Sequence, residues 1–252
     1  MVAYNCLMKE HIVDIPSLAK PVVVLPNGSG RYGAEPTYIA IDQSRKFVRR
    51  VFYRGSWELG NRIHGGFWQQ LPSYWRNQIF IDDKPTVEYD YVAWHITLLY
   101  ALAGVPKPKG DPYSIPAWEG VPATDFRSWV KTLMLMALNA ESEEAAFRAF
   151  RHSQPKGTVQ KKLNDYQLSD ILEAMKEKHP AIASKFCSDA AVELMFLDGQ
   201  IANELIKHFV ERGIPILGIH DSFIVQEEYG EKLQRVMIKA ARNLLPEILV
   251  EV

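Results

Sequence analysis

Asp90 closes the run TVEYDYV at 86–92, where Val87, Tyr89 and Tyr91 alternate with Glu88 and Asp90 in the period-2 pattern of a half-buried strand. An acid at a strand–helix junction either caps the following helix or sits on a rigid strand ready to ligate a hard cation such as Mg²⁺. His220 and Asp221 fall at the tip of IPILGIHDSFIVQEE, residues 214–228, which reads as strand, tight turn, strand. Turn aspartates commonly accept their own backbone amides. Here, however, the flanking ILGI and FIV are wholly apolar, so a carboxylate at the tip of a buried hairpin needs a partner. A metal shared with Asp90 would supply one.

Arg127 and Lys131 are spaced i, i+4 on the helical segment FRSWVKTLMLMALNA. Like charges at that spacing repel by about 0.2–0.5 kcal/mol and call for an anion. On a helix otherwise carrying Leu133, Met134, Leu135, Met136 and Leu138, a phosphate-bearing ligand explains the pair better than a surface ion-pair network. A second cationic group is RKFVRRVFYR at 45–54, with Arg45, Lys46, Arg49, Arg50 and Arg54 interleaved with aromatics. It is a candidate for binding a nucleic-acid backbone, the alternative being a solvated strand face. NRIHGGFWQQLP then sets Arg62, His64, Gln69 and Gln70 around Gly65-Gly66, two residues that let a backbone approach another chain or a ligand closely.

These residues need a scaffold, and the composition supplies one. Of 252 residues, 47% are apolar and 23% charged, enough for a sizeable core and too few charges for disorder. With 29 Lys and Arg against 30 Asp and Glu the net charge is −1, which excludes a uniformly basic coat but not a local basic face. Cys6 and Cys187 form no CxxC pair, so neither a disulfide framework nor a zinc site is expected, and a reducing cytoplasm is the natural compartment. The N-terminal residues lack the pattern of a secretory signal, and no apolar run approaches the ~20 residues that span a bilayer, so no membrane association is expected.

Strands are expected at 21–25, 37–41, 47–54 and 86–92, in the 214–228 hairpin and in the terminal ILVEV, with PNGSGRYG as a turn. Helices are expected at 93–102, over 126–140 with Asp125 as N-cap, and near 142–152, 159–178, 189–211 and 229–244. The Pro/Gly-rich stretch 105–125 separates the first two helices. Strands toward both ends with helices between them argue for an α+β fold.

Asp on a strand before a helix, then Arg-x-x-x-Lys on a helix, then His-Asp at a hairpin tip, resembles in order the A, B and C motifs of family A polymerases. That superfamily holds the DNA polymerase I type and the single-subunit phage RNA polymerases. EYDYVAWHITLLYALAG is similar to motif A, RSWVKTLMLMALNA to motif B and IHDSFIV to motif C. The resemblance implies a minimal form of that architecture, a palm whose antiparallel sheet carries the carboxylates plus a small helical fingers subdomain. A β-rich nucleic-acid-binding segment would span 1–60, the palm 61–105 and 190–252, and the fingers 106–189.

It also implies roles. Asp90 and Asp221 would hold two Mg²⁺ ions, with Mn²⁺ as a substitute. Arg127 and Lys131 would meet the incoming triphosphate, Lys131 also protonating the leaving group. His220 would lie at the primer end, and Arg62 and Gln70 near primer and template. The basic 45–54 segment would track the duplex in place of a thumb. Departures from the family's pattern fall at the sugar and base: Leu135 where the DNA enzymes carry an aromatic residue, Asn139 where a Tyr is usual, and His95 where DNA polymerases have Glu and RNA polymerases Gly. The bulk of His95 would crowd a ribose 2′-hydroxyl, which favours dNTPs; an RNA polymerase or primase-like enzyme using NTPs, or a non-catalytic nucleic-acid-binding scaffold, is the alternative. The partners so implied are primer–template, a dNTP or NTP, and a processivity or replication protein.

Overall fold

The structure, a computed structural model, describes residues 1–26, 36–245 and 250–252. In chain order it runs α1 (Val2–Lys9), β1 (Val13–Asp14), β2 (Val22–Leu25), β3 (Thr37–Ala40), β4 (Arg49–Phe52), β5 (Gly60–His64), α2 (Ser73–Arg76), β6 (Phe80–Ile81), β7 (Lys84–Asp90), α3 (Trp94–Leu102), α4 (Ala123–Asn139), α5 (Glu143–Ser153), α6 (Asp165–Lys178), α7 (Ala191–Val210), β8 (Leu217–Ile219), β9 (Ser222–Gln226) and α8 (Gly230–Leu244). The fold is α+β with an antiparallel sheet. No helix among the described residues is long and apolar enough to cross a membrane.

The chain forms two units. The first joins Met1–Val92 to the segment returning at Met195, and the second is built on Ala93–Leu194. α3, expected with the 61–105 segment, therefore groups with the helices that follow it.

In the first unit five antiparallel strands lie in the order β1-β6-β7-β9-β8, and β2–β3 and β4–β5 form two separate ribbons. The alternation along β7 has a physical cause on one face. Tyr91 donates its hydroxyl to the Met237 carbonyl of α8 at 2.7 Å, and Val87 and Tyr89 pack on Gly230 at the start of that helix. α8 buries Leu233, Val236, Met237, Ala240 and Ala241, the i, i+3, i+4, i+7, i+8 stripe of a helix laid on a core. β8 and β9 are buried along their whole length.

The second unit packs α4, α5 and α6 on one another through Phe126, Trp129, Leu133, Phe147, Phe150 and Leu172, all buried. α4 begins at Ala123 with Pro122 as its N-cap, so Asp125 does not cap the helix but lies in its first turn, where a carboxylate favours the helix dipole. α6 begins at Asp165 rather than near 159, because Asn164 and Gln167 form a reciprocal capping box. The terminal ILVEV does not form the expected strand over its described residues 250–252; the Glu251 carbonyl accepts the Val92 amide at 3.0 Å. Ile248, Leu249 and residues 27–33 of the PNGSGRYG turn lie outside the described residues.

Candidate functional site

Asp90 and Asp221 both belong to the first unit, on neighbouring strands. β7 runs antiparallel to β9 with Asp90 opposite Ser222, and the Tyr91 amide donates to the Asp221 carbonyl at 3.3 Å. β8 pairs Ile219 with Ser222, which leaves His220 and Asp221 as a two-residue turn. His220 has a φ of +56°, the left-handed region that costs an L-residue about 1–2 kcal/mol. Asp90 is exposed and Asp221 half-buried.

The neighbouring side chains hold this corner. Glu88, two residues before Asp90 on the same face, accepts two bonds from Arg76 at 2.8 Å each and one from the Ser222 hydroxyl at 2.6 Å. Behind the turn, the Gly218 carbonyl of β8 accepts from Trp68 Nε1 at 3.1 Å and from Gln69 Nε2 at 2.9 Å. Gln69 also ties β5 through the Ile63 carbonyl and the Gly65 amide. Gly65 has a φ of +133°, and a Cβ there would lie 2.5 Å from the Phe47 carbonyl oxygen, so the Gly-Gly pair serves a close approach of the chain to itself.

Arg62 donates Nε to Asp198 of α7 at 2.7 Å, an ion pair with only 13% and 3% of its two side chains exposed. The His64 and His220 rings meet edge to face at 5.6 Å. His220 as a residue is exposed at the turn, yet its imidazole is pushed down to about 4, by loss of water first and then by the charges of Arg62 and His64, with Asp198 opposing. The ring is therefore neutral near pH 7.

The cations expected to follow a nucleic-acid backbone separate into two groups. Arg49 and Arg54 are exposed, and Arg45 reaches the exposed Gln70 at 3.5 Å. Lys46 is corrected: it is 5% exposed and donates to the Lys9 and His11 carbonyls, tying down the end of α1, so it cannot present its charge to a polyanion. Arg50 is half-buried on the Asn61 side chain at 3.3 Å. Arg62, expected near primer and template, donates its Nε to Asp198.

In the second unit, Arg127, Lys131, Leu135 and Asn139 share the exposed side of α4. The anion that compensates Arg127 is a protein group, contrary to expectation. Asp111, from the Pro/Gly-rich stretch, accepts from Arg127 Nε and from Nη2 at 3.0 Å, and the guanidinium holds the Asp111 carboxyl below the usual carboxylate range. The Tyr113 ring lies 5.4 Å from the Arg127 guanidinium and 5.6 Å from the Lys131 ammonium, a second means of accommodating both charges. His95 is the second residue of α3 and half-buried.

Asp198, Arg76 and the role of Glu88 were not singled out from the sequence. Asp198 did carry a signal, as an acid inside the apolar helical run MFLDGQIA.

Among the described residues no group of three or more His, Cys, Asp or Glu side chains could hold a metal ion. Mg²⁺ commonly binds one or two carboxylates and takes its other oxygens from water and substrate phosphates, so Asp90 and Asp221 are the residues that would hold such an ion. No protein-family model matches the chain, and no curated protein matches it.

Proposed function

We propose that the protein is a template-directed nucleotidyltransferase that extends a primer 3′-hydroxyl with dNTPs. The observation that carries this reading is the backbone pairing that joins the end of β7 to the β8–β9 turn, which brings the Asp90 and Asp221 positions close together in the chain's fold. Their order along the chain supports reading them as the metal carboxylates that the family A resemblance implies.

In this reading Asp90 and Asp221 hold divalent cations, which when bound would activate the primer hydroxyl and stabilise the leaving pyrophosphate. The other named groups orient. Arg76 and Ser222 restrain Glu88 beside Asp90, while Trp68 and Gln69 hold β8 behind the turn. His220 at the primer end follows from the resemblance. Of the basic 45–54 run, the exposed Arg49 and the half-buried Arg45 are the cations placed to follow the backbone of the duplex. Arg127 and Lys131 as triphosphate contacts, Lys131 as proton donor and His95 as sugar gate rest on the resemblance alone.

The test is extension of primed DNA and RNA templates with dNTPs and, separately, with NTPs. Mg²⁺-dependent addition of dNTPs is expected. Addition of NTPs alone would move the protein to the RNA polymerase class. Nucleic-acid binding without any addition would leave a scaffold.

A further inference from the structure

Asp198 is the one buried carboxylate residue among the described residues, at 2% exposure. A charge so placed is unfavourable unless it is paired, and its partner is Arg62, far away in sequence on β5. The fold takes specific measures to bring them together. Asn61 adopts a φ of +71°, and a Cβ on Gly199 would stand 2.6 Å from the Asn61 carbonyl oxygen. Only glycine after Asp198 lets the β5 backbone lie directly on α7.

The pair also adjoins the candidate site. Arg62, Asp198, Gly199, Gly218 and His220 line one small cavity of about 10 Å³, room for about one water. Gly218 belongs to β8, and His220 is the strained residue immediately before Asp221. A left-handed histidine persists only where its surroundings over-determine it. On one side those surroundings are the Gln69 and Trp68 bonds to Gly218. On the other, Arg62 and Asp198 line the same cavity as His220.

We infer that Asp198 is a positioning residue: through Arg62 it fixes the His220 turn from behind and so sets where the Asp221 carboxylate stands. This rests on the reading of Asp221 as a cation ligand, and the experiment separates the two. Mn²⁺ is titrated onto the full chain and followed by electron paramagnetic resonance, for the parent, D198N and R62K, and the backbone amide resonances of His220 and Asp221 are recorded for each. D198N keeps the shape of the side chain and removes its charge; R62K keeps the charge and removes the planar fork, and serves if D198N does not fold.

The expected result is a folded variant with Mn²⁺ bound about 10–100-fold more weakly, the range for loss of a group that orients a ligand, and with displaced His220 and Asp221 amides. A variant that binds Mn²⁺ as the parent does, with those two amides unmoved, overturns the inference even if it melts earlier. If the parent binds no Mn²⁺ and extends no primer, the polymerase reading fails. The amides then decide alone: displacement centred on the turn supports a positioning role for Asp198, and unmoved amides overturn it.

Discussion

The carbonyl of Asp221 accepts the amide of Tyr91, so the residue following Asp90 and the tip of the β8–β9 hairpin are joined backbone to backbone. Their proximity does not depend on either carboxylate. D90N and D221N should therefore fold as the parent does, within about 1 kcal/mol by urea denaturation. Each should nonetheless weaken Mn²⁺ binding by at least about tenfold, because an amide oxygen replaces a charged ligand of a hard cation. Parent-like affinity in either variant would remove that residue from the cation site.

Glu88 makes three bonds, all to side chains: two from Arg76 and one from Ser222. Both members of the ion pair are largely buried, so removing Arg76 leaves a poorly solvated carboxylate beside Asp90. R76A should cost about 2–3 kcal/mol in a urea melt, the scale of a lost charge-assisted pair of bonds. A loss under about 0.5 kcal/mol would mean that the pair is screened like an ordinary surface bridge.

Lys46 and Arg49 come from one basic run but serve different ends. K46M should destabilise the fold by about 1–3 kcal/mol, because the Lys9 and His11 carbonyls lose their donor. R49A should leave stability within about 0.5 kcal/mol and lower the slope of log affinity against log salt by about 1 on duplex DNA. An unchanged slope would exclude Arg49 from the contact.

His179 is fully buried between Tyr100 and the Pro112 carbonyl. The carbonyl can only accept, so Nε2 carries the proton and Nδ1 accepts from the Tyr100 hydroxyl. Loss of water holds the pKa of His179 below its ordinary value, with the Pro112 bond opposing. The folded state thus binds fewer protons than the unfolded state. The contribution of His179 is complete above about pH 6.5 and is lost as pH falls from there through the folded-state value. H179Q should be less stable than the parent at pH 7.5 and should lose less further stability at pH 5. Equal losses in the two proteins would show that His179 does not titrate with folding.

How much of this was legible before folding depends on the reach of the interaction. Val87, Tyr89 and Tyr91 announced their face because alternation is local, and the apolar arms of the hairpin announced β8 and β9 in the same way. The sequence pattern places the start of α6 several residues early because Lys161 and Lys162 carry no stop signal, while the capping box that sets it lies just beyond them. Arg127 looked in need of a ligand because Asp111 sits across a Pro/Gly stretch whose path cannot be read from propensity. Lys46 looked like its neighbours, since nothing in RKFVRR shows that one of its side chains turns back toward α1. Arg62 and Asp198 meet only because Asn61 and Gly199 permit two distant backbones to touch, a relationship that no local pattern encodes.

The central claim is that Asp90 and Asp221 form one centre for nucleotidyl transfer. Single-turnover extension of a primed template with the correct dNTP and Mg²⁺ tests it most directly, with the parent, D90N, D221N and the double variant measured side by side. The account predicts addition by the parent and a loss of at least about a thousandfold in each single variant, with little further loss in the double, because residues that act as a unit are not additive. Addition by either single variant at the parent's rate, or no addition by the parent with any nucleotide set, would contradict it.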